Sequence, residues 1–153
     1  MQHKVQNIIK RLPQEISGSW IARNSGYERD LCKILNWDFS TARYYDALCD
    51  DVAIEIKKGK SIWLDLVRYS EIFLGEGTQD TITAFFIPNS ERSKIQHVYF
   101  VDTRDLMTKL NLSNKRAEII VAINKDMLRS LNMQVRLTVK DIKDIAIGCV
   151  DML

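Results

Sequence analysis

Val5, Ile8, Ile9 and Leu12 recur at helical spacing, which predicts an amphipathic helix over residues 2–12 that stops before Pro13. A loop with Ser17, Gly18 and Ser19 follows. A second helix is expected from about Ser25, with Tyr27, Leu31, Ile34 and Leu35 as its apolar stripe and Asn36 as its end. The period then changes. Residues 37–43 and 44–49 read as extended. DVAIEIK, 51–57, alternates strictly, with Val52, Ile54 and Ile56 on one face and Ala53, Glu55 and Lys57 on the other. Lys58-Gly59-Lys60 breaks that strand. Ser61 is then expected to cap a helix over 62–74, with Ile62, Trp63, Leu66, Val67, Phe73 and Leu74 inward and Asp65, Arg68 and Glu71 outward.

TITAFFI, 81–87, is a continuous apolar run of the kind buried on both faces of a sheet. Strand, helix and buried strand in succession make a βαβ crossover, expected to be right-handed. Strands are expected over 97–101, 119–123 and 133–139, and helices over about 103–110 and 125–131. The last dozen residues carry no decisive pattern. Neither a linker nor an internal repeat interrupts the 153 residues. The chain reads as one α/β domain with a mixed β-sheet flanked by helices.

Composition narrows the picture modestly. Apolar residues make up 46% and charged residues 27%, and Gly and Pro number 6 and 2, as in an ordinary globular domain. The net charge of +2 permits nucleic-acid binding without demanding it, because acidic ligands cancel basic contacts in the sum. Cys32, Cys49 and Cys149 form no CxxC pair, so reduced thiols in a cytoplasmic protein are expected, with no zinc site. No apolar stretch approaches the roughly 20 residues of a membrane span, and the N-terminus has no signal-peptide core.

The chemistry gathers in YYDALCDDVAIEIKKGK, 44–60. A two-residue turn at Asp50-Asp51 sets Cys49 opposite Val52, Leu48 opposite Ala53 and Asp46 opposite Glu55. Opposed side chains share a face, with Cβ atoms about 4.5–5.5 Å apart. Two carboxylates side by side repel, and a divalent cation turns the repulsion into attraction. Mg²⁺ takes such oxygens while keeping several waters. Lys57, two residues on, sits where it can orient a water or stabilise charge on a phosphate.

Asp46 followed by Glu55-Ile56-Lys57, after a helix carrying Glu28, resembles the PD-(D/E)XK or restriction-endonuclease-like nuclease superfamily. The likeness covers about residues 20–90, leaving 91–153 for target recognition and dimerisation. It implies a restriction-endonuclease-like core, Mg²⁺ held by Asp46 and Glu55, Lys57 near the attacking water, and Glu28 as an added ligand. The sequence departs from the pattern at Tyr45, where the family has proline, and in its short gap between Asp46 and Glu55. Asp-Asp is also not a preferred type I′ turn pair, and a one-residue slip would bring Asp50 or Asp51 to the site instead. Ser25-Gly26-Tyr27-Glu28 can equally be a capping box that uses Glu28 locally.

The implied activity is a Mg²⁺-dependent DNA endonuclease, best matched in size by a type II restriction enzyme. Cutting both strands of a duplex would need a homodimer. A Holliday-junction resolvase or homing endonuclease on the same core is the near alternative. A non-catalytic nucleic-acid or protein interaction module is the alternative of another class. Lys58, Lys60, Arg23 and Asn24 are candidate phosphate contacts, with solvated loops as the bland alternative. The scattered positive charge of Lys115, Arg116, Arg129, Arg136, Lys140 and Lys143 reads mostly as surface. His3 and His97 carry no ligand spacing, and Trp20, Trp37 and Trp63 no stacking pattern.

Overall fold

The computed structural model describes residues 1–75, 80–126 and 133–152. Helix α1 (Gln2–Lys10) buries Val5 and Ile8. A 3₁₀ turn over Ser19–Ala22 leads to α2 (Tyr27–Leu35), which Asn36 ends in the left-handed conformation, φ 58°. The strands are β1 (Asp38–Phe39), β2 (Ala47–Cys49), β3 (Val52–Lys58), β4 (Ser61–Asp65), β5 (Thr81–Pro88), β6 (Ile95–Asp102), β7 (Gln134–Thr138) and β8 (Gly148–Asp151). The remaining helices are α3 (Leu66–Phe73), α4 (Thr103–Lys109), α5 (Asn114–Asp126) and α6 (Val139–Ile145).

Six strands form one mixed sheet in the order β1-β2-β3-β5-β6-β8. Only β3 and β5 run parallel, as the crossover between them requires. Alternation sorts the side chains of the central strands to two faces. Ile54, Ile56, Ile82, Ala84, Phe86, Val98 and Phe100 pack under α1 and α2 with Leu31 and Trp37. Phe85, Ile87, Tyr99 and Val101 pack on the other face against Leu64, Tyr69, Leu106, Ile120 and Ile142. The chain is thus α/β, with a mixed sheet flanked by helices. Among the described residues, no helix is long and apolar enough to cross a membrane.

Two expected elements change type. The expected helix over 62–74 begins only at Leu66, because residues 61–65 form β4 and pair with β7 from Ser61↔Thr138 to Asp65↔Gln134. Ile62 and Leu64 are buried while Ser61, Trp63 and Asp65 face outward. Trp63, expected inside, is 57% exposed. The cap is Asp65 rather than Ser61, its carboxylate accepting from Val67 N–H at 2.9 Å and Arg68 N–H at 3.4 Å. The expected strand at 119–123 lies within α5, where Ala117 and Ile120 face the core three residues apart and Ile119 is half exposed. The Ser113 hydroxyl accepts the Arg116 N–H at 3.2 Å and starts that helix. Most of the helix expected over 125–131 lies outside the described residues. The unassigned C-terminus holds α6, opened by a capping box between Thr138 and Asp141, and then β8.

Candidate functional site

The β2–β3 hairpin has the expected register: Cys49 pairs with Val52, Leu48 with Ala53 and Ala47 with Ile54. Only Asp50 of the turn takes a positive φ, 54°, so this is not the turn with both central residues left-handed. Arg11 holds Asp50 at 2.7 Å and Lys4 holds Asp51 at 2.9 Å, which explains how two adjacent aspartates tolerate the turn and keeps both from the site.

The ladder stops at Ala47, one residue short of the expected Asp46–Glu55 pair. Asp46 instead straddles Glu55. Its N–H donates to Ile54 O at 2.9 Å, and its Oδ2 accepts the Ile56 N–H at 2.7 Å. Burial raises the Asp46 pKa, partly offset by that backbone bond and by the charges of Arg68 and Lys57.

Glu55 is 4% exposed. It lies on the face expected from alternation, but α3 covers that face. Arg68 Nη2 meets its Oε2 at 2.7 Å, and Lys57 Nζ stands 3.5 Å from its Oε1. Burial and then the neighbouring Asp46 raise its pKa to about 7, against the pull of Arg68 and Lys57. Asp46, Glu55 and Lys57 are therefore one electrostatic unit.

Arg68 was expected to point outward. It became a site residue because α3 starts at Leu66, which rotates the helix so that Arg68 looks down on β3. Glu71, one turn further and also expected outside, is buried. It accepts from Arg43 at 2.6 Å and from the Tyr44 hydroxyl at 2.8 Å. The signal available was Asp65, an N-cap residue type just before Leu66.

Glu28 stands in the first turn of α2. The capping box is not formed: Gly26 is the N-cap, and no side chain caps the helix. Among the described residues, no group of three or more His, Cys, Asp or Glu is placed to hold a metal ion. Asp46 and Glu55 are neighbouring carboxylates. That donor set fits Mg²⁺, which is commonly bound by one or two protein carboxylates, with waters and substrate oxygens filling the octahedron.

The candidate phosphate contacts divide. Arg23 is paired with Asp30. Lys58 lies on the opposite face of β3 from Lys57, donating to Ile21 O at 2.7 Å with its ammonium 4.7 Å from the Tyr27 ring centre. Lys58, Lys60 and Asn24 line one cleft together with Arg92. Arg136 bonds Ser61 and Arg116 bonds Leu110 O, and both are structural contacts; Arg129 lies outside the described residues. His97 pairs with Asp151 at 2.8 Å, tying β6 to β8. All three cysteines are free. In comparisons with known proteins, no family model and no curated protein matches the chain.

Proposed function

We propose that the protein is a Mg²⁺-dependent DNA endonuclease of the PD-(D/E)XK kind. The observation that carries this reading is the Asp46–Glu55–Lys57 unit at the β2–β3 hairpin, two carboxylates and an ammonium beside the parallel β3/β5 pair. A buried carboxylate raised to about 7 beside a second raised carboxylate is a costly arrangement. Strongly perturbed carboxylates cluster at functional sites, and a divalent cation would relieve this pair. Asp46 and Glu55 would hold Mg²⁺, which when bound supplies a polarised water and neutralises charge on a phosphate. Lys57 orients the water or stabilises the developing negative charge. Arg68 positions Glu55. A homodimer acting on both strands, as in a small type II restriction enzyme, fits one such site per chain. A resolvase or homing enzyme would use the same residues.

The direct test is cleavage of supercoiled plasmid and of a four-way junction, with Mg²⁺ or EDTA, by wild type and Lys57→Ala. Mg²⁺-dependent cutting lost in the variant supports the proposal, and cutting of the junction alone makes it a resolvase. Equal inertness of both proteins counts against it.

One observation favours a second reading. Both Glu55 oxygens already face cations, Arg68 and Lys57, so the carboxylate can serve as a structural ion pair in a non-catalytic interaction module. Such a module would gain no stability from Mg²⁺.

A further inference from the structure

Beyond the C-terminal ends of the two parallel strands, the chain leaves a cleft of about 400 Å³. That size lies within the range of small-ligand sites, and crevices outside the carboxyl ends of parallel strands are where α/β sheets commonly bind ligands. Its charged lining residues are Lys58, Lys60 and Arg92, with no carboxylate among them. None of the three has an ion-pair partner among the described residues.

Two of these cations are held in place by neutral groups. Lys58 spends one of its three donors on Ile21 O at 2.7 Å. Arg92 uses Nη2 on Ala22 O at 2.9 Å and on Asn24 Oδ1 at 3.2 Å, which leaves Nε and Nη1 without a hydrogen-bond partner among the described residues. Arg92 adopts a left-handed backbone, φ 56°, uncommon for a residue with a Cβ. The loop that imposes it is tied by Asn89, whose Oδ1 accepts Ser93 N–H at 2.9 Å and Lys94 N–H at 3.2 Å. Burial and the charge of Arg92 lower the Lys58 pKa, with Glu28 opposing from outside the lining. Fixed like charges around an open volume are destabilising alone and are offset by an anion.

We propose that this cleft is a phosphate-monoester site, and that the monoester it takes is the phosphorylated end of a nucleic-acid strand whose body reaches Asp46, Glu55 and Lys57. The class follows from charge. A monoester carries about −1.5 to −2 at neutral pH and matches three cations better than the single charge of a backbone diester. The strand follows from position. Lys58, which lines the cleft, directly follows Lys57 at the end of β3, so the cleft adjoins the strand that carries Glu55 and Lys57. This second half rests on the nuclease reading; the phosphate site does not.

The test is equilibrium binding of the full chain in EDTA, where no cutting occurs. Fluorescence anisotropy compares one labelled oligonucleotide bearing a 5′-phosphate, a 3′-phosphate or hydroxyls only, with inorganic phosphate as competitor. One phosphorylated end should bind about tenfold tighter than the hydroxyl strand, as charge-assisted hydrogen bonds at a built site allow. Lys60 is exposed and has no hydrogen bond or ion pair among the described residues, so it can be changed without unfolding the protein. Lys60→Ala should reduce the preference about threefold or more, and Lys60→Arg should keep it. Equal affinity for all three strands with no competition by phosphate overturns the proposal. Inorganic phosphate binding as tightly as the phosphorylated strand keeps the monoester class and overturns the strand end. An end preference retained in a protein that never cuts would sink the nuclease reading alone.

Discussion

Replacing Glu55 by glutamine should change stability in a pH-dependent way, because a buried carboxyl is being forced to ionise. The folded-state pKa is raised from 4.5 to about 7, by burial first and Asp46 second. Between those values the folded protein keeps a proton that the unfolded chain has already lost. The contribution of Glu55 is therefore fully present below pH 4.5 and is lost as pH rises through about 7. At about 1.4 kcal/mol per pKa unit, the swing is about 3 kcal/mol. With the residue 4% exposed, solvent screening does not shrink it. Glutamine does not titrate. From about pH 4 to about pH 8, the stability difference should move by about 3 kcal/mol in favour of Glu55→Gln. Urea denaturation of both proteins in EDTA measures this. The comparison cancels Asp51 and Asp141, whose lowered pKa values act in the opposite sense and are common to both proteins. A pH-independent difference refutes the reasoning. So does a drift in favour of the wild type, which would mean that Arg68 and Lys57 outweigh burial and Asp46.

Mg²⁺ at about 100 times its Kd should add about 3 kcal/mol to wild-type stability and almost nothing to Asp46→Asn; thermal melts with and without the ion decide between nuclease and module. Arg68→Ala strips Glu55 of its closest partner and should raise its pKa further, so the variant should lose more stability relative to wild type at about pH 8 than at about pH 4, as read by urea titration. Asp65→Ala removes the α3 cap and should cost about 1 kcal/mol, with Asp65→Asn close to wild type. Gly148→Ala places a Cβ 2.7 Å from Val5 Cγ1 and 2.9 Å from Ile9 Cδ1, so it should cost about 1–3 kcal/mol. An unchanged melting temperature there would mean that α1 is not seated tightly on β8.

The sequence by itself determined what depends on local periodicity and turn chemistry. Strict alternation over 52–57 was enough to place Glu55 and Lys57 on one face, and the apolar run at 81–87 was enough to predict a strand buried on both sides. Asn36 marked the end of α2, and the two-residue turn at Asp50-Asp51 set the hairpin register. These features are legible because each is decided within a few residues.

Tertiary structure decided the rest. SIWLD, 61–65, is a strand because β7, about seventy residues later, pairs with it; its own residues fit either period. EIIVAI, 118–123, is a helix because α3 packs on it. The rotation of α3 that follows from β4 turned Arg68 from an apparent surface residue into the partner of Glu55. The cleft charge of Lys58, Lys60 and Arg92 comes from the end of β3, the turn after it and a loop about thirty residues later. The pKa of Glu55 likewise belongs to no local segment, since it is set by burial beneath a helix and by the carboxylate of Asp46, just before β2. Local sequence determines which way a side chain points from its own backbone. Only long-range pairing determines what it meets there.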